Sequence, residues 1–166
     1  MKTVLIYAAM IVFSVVSLNC VSSASASEGE QQAVKAAVQE FHTALNKLFT
    51  GEVAPMKSVW SHQADVTYMG PDGSYLRGWK LIAAEWDKTA SMKLGGQIEA
   101  AEMHITVGQD IAIVSNYEMG HNIGPDGKKV KVKIRATSLF RKEKDAWKMI
   151  GHHTDLLPFL VKPAAD

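Results

Sequence analysis

The residues best suited to chemistry lie in the last third of the chain. His152, His153 and Asp155 stand close together, and Arg135 interrupts a stretch whose alternate positions read Val130, Val132, Ile134 and Ala136. An imidazole titrates near neutral pH and can take or give a proton in a reaction. Adjacent strand residues point to opposite faces, so only one of the two histidines can look into an interior. Asp155 shares parity with His153 and could orient that ring. Arg135 shares a face with Thr137 and Leu139. If that face lines an interior, its guanidinium needs a carboxylate, because an unpaired buried charge is too costly. Glu118 is the protein's own partner for it, and a ligand carboxylate would make a bidentate anion anchor. The alternative is that Lys131, Lys133 and Arg135 all face water. Strand parity leaves the two open.

Trp60, Tyr68, Trp86 and Tyr117 are aromatic and can serve as cavity walls or as plain core. A buried Tyr68 phenol needs a partner and can donate to a developing enolate. Asp65 lies three positions earlier, on the opposite side of an undistorted strand, so the two do not act as a pair. The six histidines (His42, His62, His104, His121, His152, His153) make no recognised ligand spacing. His153 and Asp155 at i, i+2 lack an evident third ligand, so no metal site is expected. There is no G-x-S-x-G, no P-loop and no G-x-G-x-x-G. Gly95-Gly96 lacks the strand before and helix after that nucleotide binding requires.

These residues must be positioned by elements that the periodicity reveals. Ser27-Glu28-Gly29-Glu30 reads as a capping box. Val34, Ala37, Val38, Phe41, Leu45 and Leu48 then follow at helical spacing, with Gly51 as the stop. A short second helix starts near Pro55 and carries Met56, Val59 and Trp60. Residues 65–69 and 74–77 flank the turn Gly70-Pro71-Asp72-Gly73 and predict a hairpin. A third helix follows Gly78, with Trp79, Ile82, Ala83 and Trp86 in period, ending before Gly95-Gly96. The period then changes. Residues 98–107, 111–122, 130–141 and 146–157 predict four long strands joined by short turns, an antiparallel meander. Helices segregated to one face of such a sheet define an α+β domain, and a long sheet must curl and leave a pocket.

The ends and the composition bound the setting. Met1-Lys2-Thr3, the apolar stretch 4–18 and Ala24-Ser25-Ala26 predict a signal peptide over 1–26, with the domain on 27–166 and a periplasmic or secreted location. The apolar stretch falls short of the roughly 20 residues of a spanning helix, so no membrane anchor is expected after cleavage. Cys20 is the only cysteine. A chain cleaved after Ala26 has no disulfide and no thiolate chemistry. The 18 Lys and Arg nearly balance the 17 Asp and Glu, and no basic face for nucleic acid is visible. Lys128, Lys129, Lys131 and Lys133 read as the wet side of a strand.

The order helix–helix–hairpin–helix–four strands resembles the nuclear transport factor 2-like (cystatin-like cone) superfamily, and within it the SnoaL-like or ketosteroid-isomerase-like branch. The matching pieces are Trp60 through Tyr68-Met69-Gly70, Gly78-Trp79 with Trp86, and Ser115-Asn116-Tyr117-Glu118. They continue with Arg135-Ala136-Thr137, Phe140-Arg141-Lys142 and Trp147 through His152-His153. The resemblance implies three N-terminal helices on a curved antiparallel sheet that forms a cone with an internal pocket. It implies a small, mostly apolar ligand with a polar or anionic group, and cofactor-free acid–base chemistry of isomerase or lyase type where members are enzymes. It places Arg135 in the pocket as anchor, with Asn116, Tyr117, Glu118, Trp60 and Trp86 around the ligand. His153 or His152, Asp155 and Tyr68 would be the reacting groups. Homodimers are common in such a family, and a non-catalytic dimerising or partner-docking domain is the alternative function.

Overall fold

A computed structural model describes residues 28–155. The expected signal peptide with Cys20, the Ser27 cap and residues 156–166 lie outside the described residues.

The first helix, α1 (Glu28–Leu48), buries Val34, Ala37, Val38, Phe41, Leu45 and Leu48, the stripe its spacing dictates, and His42 within it. Gly51 ends the turn that follows with a φ of 105°, a conformation that costs glycine little. Helix α2 (Ala54–Val59) carries Pro55 in its first turn. Strands β1 (Thr67–Met69) and β2 (Tyr75–Arg77) form the expected hairpin. Helix α3 (Trp79–Met92) buries Ile82, Trp86 and Ala90 and stops at Lys93 in the left-handed conformation. Strands β3 (Gln97–Val107), β4 (Ile111–Ile123), β5 (Lys129–Glu143) and β6 (Ala146–Thr154) are the long meander.

All six strands make one curved sheet in the order β2-β1-β6-β5-β4-β3. One feature departs from the all-antiparallel expectation: β1 pairs with β6 in parallel, setting Tyr68 beside His152. The connection that makes this possible is long, running from the hairpin through α3 and the whole meander. Helices and inner sheet face enclose a single core in which Phe41, Trp60, Phe140, Leu48 and Met149 are essentially sealed from water.

Burial alternates along the adjacent strands β4 and β5. Ala112, Val114, Asn116 and Glu118 of β4, and Val132, Ile134, Ala136, Ser138 and Phe140 of β5, are all buried. On β6 a bulge breaks the pattern. Phe140 faces Met149 and Leu139 faces Gly151, which leaves Ile150 as the extra residue. Before the bulge, Trp147 and Met149 point inward; after it, His152 and Thr154 do. A second irregularity lies in β3 between Ala101 and His104, with Glu102 at a φ of 54°. At the entry to β3, Gly96 has a φ of 82°, and a Cβ there would lie 2.0 Å from the His121 carbonyl oxygen.

Candidate functional site

Between α1, α3, the β1–β2 turn and the inner sheet face lies a cavity of about 340 Å³. Its walls are mostly apolar, with Phe41, Leu45, Phe49, Trp86, Ile98 and Ile134 among them, and its polar floor is Glu118 and His152. Asp72, Glu85 and Lys88 also line it, with Lys88 Nζ 3.0 Å from Glu85 Oε1. Trp60, Trp86 and Tyr68 form a ring cluster under one wall, with centroids 5.8 Å (Trp60–Trp86) and 4.7 Å (Tyr68–Trp86) apart. Burial pushes the Tyr68 phenol up, so it stays a neutral donor at physiological pH.

Glu118 is the centre of the floor. Its Oε1 lies 3.4 Å from His42 Nε2 and 3.4 Å from His152 Nε2. All three side chains are almost wholly buried. At that distance the contacts are ion-pair contacts rather than tight charge-assisted hydrogen bonds. Glu118 Oε1 and His42 Nε2 have no partner in hydrogen-bonding geometry among the described residues.

The second nitrogen of each imidazole fixes its tautomer. His42 Nδ1 is 2.9 Å from the Val38 carbonyl, which can only accept, so Nδ1 carries a proton. A neutral His42 would then aim a bare Nε2 at Glu118. One proton must therefore lie between His42 and Glu118. His152 Nδ1 is 2.9 Å from Ser138 Oγ, whose hydroxyl can donate to it and leave the Nε2 proton for Glu118.

The charges follow. Burial opposes ionisation of Glu118, but the His152 and His42 imidazoles outweigh it and hold the carboxyl below its ordinary range. Burial also opposes charge on His42, yet Glu118 and the Val38 carbonyl raise it above the usual histidine value. For His152 burial wins over the attraction of Glu118, and its pKa falls. The resting floor is thus an imidazolium on α1, a carboxylate on β4 and a neutral imidazole on β6.

The sequence-derived site residues divide between two faces. His152, Glu118, Tyr68 and Trp86 meet at the cavity. Trp60 is buried behind Tyr68 and Trp86, and buried Asn116 donates its amide to the Tyr117 carbonyl. Arg135 lies on the outer face with its side chain 75% exposed, its Nε 2.7 Å from Asp155 Oδ2. The pocket placement of Arg135 is therefore corrected, and so is its pairing with Glu118. Ile134 and Ala136 take the inward parity, and Glu118 sits opposite Ile134 across the ladder. His153 is exposed because of the Ile150 bulge, and Asp155 pairs with Arg135 instead of orienting an inward imidazole. Tyr117 also faces outward, under the Lys133 ammonium 5.0 Å from its ring. Asp65, set aside as a partner for Tyr68, holds Arg141 at 2.6 Å.

His42 is the member that motif reading missed. Its signal was present: it sits four residues after Val38 and three before Leu45, a titratable side chain inside an apolar helix stripe. Ser138 shares inward parity with Ala136 and Phe140 and was legible in the same way. Among the described residues no group of three or more His, Cys, Asp or Glu side chains is arranged to hold a metal ion, and no helix is long and apolar enough to cross a membrane.

Comparison with known proteins places this architecture. A dehydratase candidate of the NTF2-like family from Streptomyces avermitilis superposes with a TM-score of 0.71 at 21% identity, over 79% of this chain and 99% of that one. A candidate calcium/calmodulin-dependent protein kinase type II association domain from Thiobacillus denitrificans gives 0.63 at 25% identity, over 74% and 94%. An NTF2-like protein with a cystatin-like fold from Novosphingobium aromaticivorans gives 0.63 at 15% identity, over 78% and 83%. No curated protein sequence matches. The SnoaL-like domain model matches residues 34–156, from the buried stripe of α1 to the end of β6, and the chain belongs to the SnoaL-like domain family.

Proposed function

We propose that the domain binds a small, mostly apolar molecule in its cavity and carries out cofactor-free proton transfer on it. The observation behind this reading is the buried Glu118 carboxylate, flanked at 3.4 Å by two imidazoles of opposite protonation tendency, on the floor of an otherwise apolar cavity. Both imidazoles make their closest approach to Oε1, which leaves Oε2 as the oxygen for a ligand. His42, already protonated, steadies the carboxylate from behind. Glu118 takes the proton from the ligand carbon and returns it to the ligand, while neutral His152, its Nδ1 held by Ser138, keeps its Nε2 proton toward the carboxylate and orients it. Proton removal beside a carbonyl, followed by isomerisation or loss of water, is the chemistry this set can perform. An anionic ligand group does not fit, because Arg135 lies outside.

The test is hydrogen–deuterium exchange at the carbon next to the carbonyl of 4-phenyl-2-butanone and of simple β-hydroxyketones, followed by NMR in deuterated buffer. Wild-type protein should accelerate exchange, and Glu118→Gln should lose on the order of a hundredfold or more of that rate, as expected for a general base. Absence of acceleration across the panel would leave a binding domain without proton chemistry.

Assembly through the outer sheet face is a second reading, favoured by Ile111 and Ile113, which are 36% and 43% exposed on β4. Leu139 on β5 lies opposite Ile113. We further infer that residues 1–26 direct export and are removed. N-terminal sequencing of the protein recovered from its source should begin at Ser27, and a start at Met1 would refute removal.

A further inference from the structure

Two indole N–H groups, those of Trp60 and Trp86, are buried without a hydrogen-bond partner among the described residues. Each ring is 2% exposed, so bulk water does not satisfy its N–H either. A buried donor left unmade is costly, and an indole N–H can only donate. What each ring lacks is therefore an acceptor. The two differ in where they lie. Trp60 packs behind Tyr68 and Trp86, whereas Trp86 is itself part of the cavity wall.

Other donors on that wall are engaged. Asn122 gives its amide to the Gly95 carbonyl at 3.0 Å, and Thr154 gives its hydroxyl to the Met69 carbonyl at 3.2 Å. Lys88 is held by both oxygens of Glu85, and His152 Nε2 lies 3.4 Å from Glu118. The Tyr68 phenol neighbours Trp86, with ring centroids 4.7 Å apart. Burial and the carboxylates of Asp72, Glu118 and Glu85 keep it protonated. Tyr68 also stacks on His152, with centroids 6.2 Å apart. Trp86, Tyr68 and His152 thus follow one another along the wall, and the series ends at Glu118. Neutral donors stand at one end and a carboxylate at the other. An oxygen held at the indole end fixes which part of an elongated apolar molecule reaches the carboxylate.

We propose that Trp86 orients the ligand, its indole N–H donating to a neutral oxygen acceptor, a carbonyl oxygen where the ligand is a ketone. A small turn of the ring brings the N–H to the cavity. This placement rests on the cavity being a ligand site and adds the residue that holds the ligand's polar end. The hydrocarbon body then lies against Phe41, Leu45, Phe49 and Ile98. Glu118 stays free to act as the base, because the contact uses a donor and leaves the carboxylate untouched. A ligand group that only donates leaves the N–H unsatisfied.

Two probes of one shape separate the cases: 4-phenyl-2-butanone, and butylbenzene, which lacks the oxygen. Each is titrated into wild-type protein and into Trp86→Phe, which keeps an aromatic ring and loses the N–H, with the indole N–H signals followed by proton–nitrogen NMR. The ketone should move the Trp86 indole proton downfield and butylbenzene should not. The Trp60 indole proton, equally unpartnered but off the wall, should stay still with both. Trp86→Phe should weaken the ketone about tenfold and change butylbenzene by no more than about twofold. A loss shared equally by both probes would mean that Trp86 acts by packing, which overturns the assignment. A Trp86 indole proton that answers both probes alike would also overturn it, while the cavity reading stands. Should Trp86→Phe fail to fold, the wild-type shifts decide by themselves. If neither probe binds, both readings fall.

Discussion

Glu118, His42 and His152 share one buried cluster but pull stability in different directions with pH. Glu118 has a lowered pKa, so its contribution is present above its ordinary value of 4.5 and is lost as pH falls through the folded value. His42 has a raised pKa; its contribution is complete below 6.5 and disappears as pH rises through the folded value. His152, whose pKa is lowered, resists protonation in the folded state, so stability is lost as pH falls from 6.5 towards that folded value. Thermal melts across pH should therefore show a maximum near neutrality with a shoulder on each side. His42→Gln should remove the alkaline shoulder and keep the acid one; an unchanged alkaline limb would contradict the His42–Glu118 pair. Removing one partner of a buried pair costs on the order of 3–5 kcal/mol, which is the loss expected for His42→Ala in urea unfolding. The double replacement His42→Leu with Glu118→Leu should recover most of that stability, and a protein still crippled would show the cluster's cost lies elsewhere.

At the scale of elements, a single bulge decides which histidine can act. Without the extra residue at Ile150, alternation from Trp147 and Met149 would turn His153 inward and His152 outward. Chemical modification by diethylpyrocarbonate should label exposed His153 while sparing His152 and His42 in the native state. Labelling of His152 before His153 would mean the register is wrong. The entry to β3 makes a second demand. Gly96→Ala puts a methyl against the His121 carbonyl at a positive φ, and should cost a few kcal/mol or displace the β3–β4 end. The elements themselves were plain in the sequence, because helices and strands alternate apolar residues with periods of 3.6 and 2. The bulge was not, since Lys148-Met149-Ile150-Gly151 carries no pattern that marks where the extra residue falls. Arg135 was misplaced for a different reason. Both faces of β5 carry apolar residues, Leu139 outside as well as Ile134 inside, so composition alone could not tell core from surface.

For the whole molecule, the α+β architecture and the cavity were legible because helices come first and long strands after, and a curled sheet has to be filled. The parallel β1–β6 pairing was not legible, yet it is what brings Tyr68 beside His152 from opposite ends of the chain. Long-range pairing of that kind leaves no local mark. The outer face is where assembly would be decided. If copies associate through Ile111, Ile113 and Leu139, Ile113→Lys should convert a dimer to a monomer in light scattering and leave the melting temperature nearly unchanged. A wild-type protein that is already monomeric at high concentration would end the assembly reading.

We place the functional surface on the interior floor of the cone and not on the exposed Arg135–His153–Asp155 side of the sheet. The decisive measurement is side-chain NMR of the histidine rings and tryptophan indoles during titration with 4-phenyl-2-butanone. The His152 ring and the Trp86 indole signals should move together and saturate, while His153 stays still. Saturable shifts at His153 with His152 and Trp86 unmoved would contradict it.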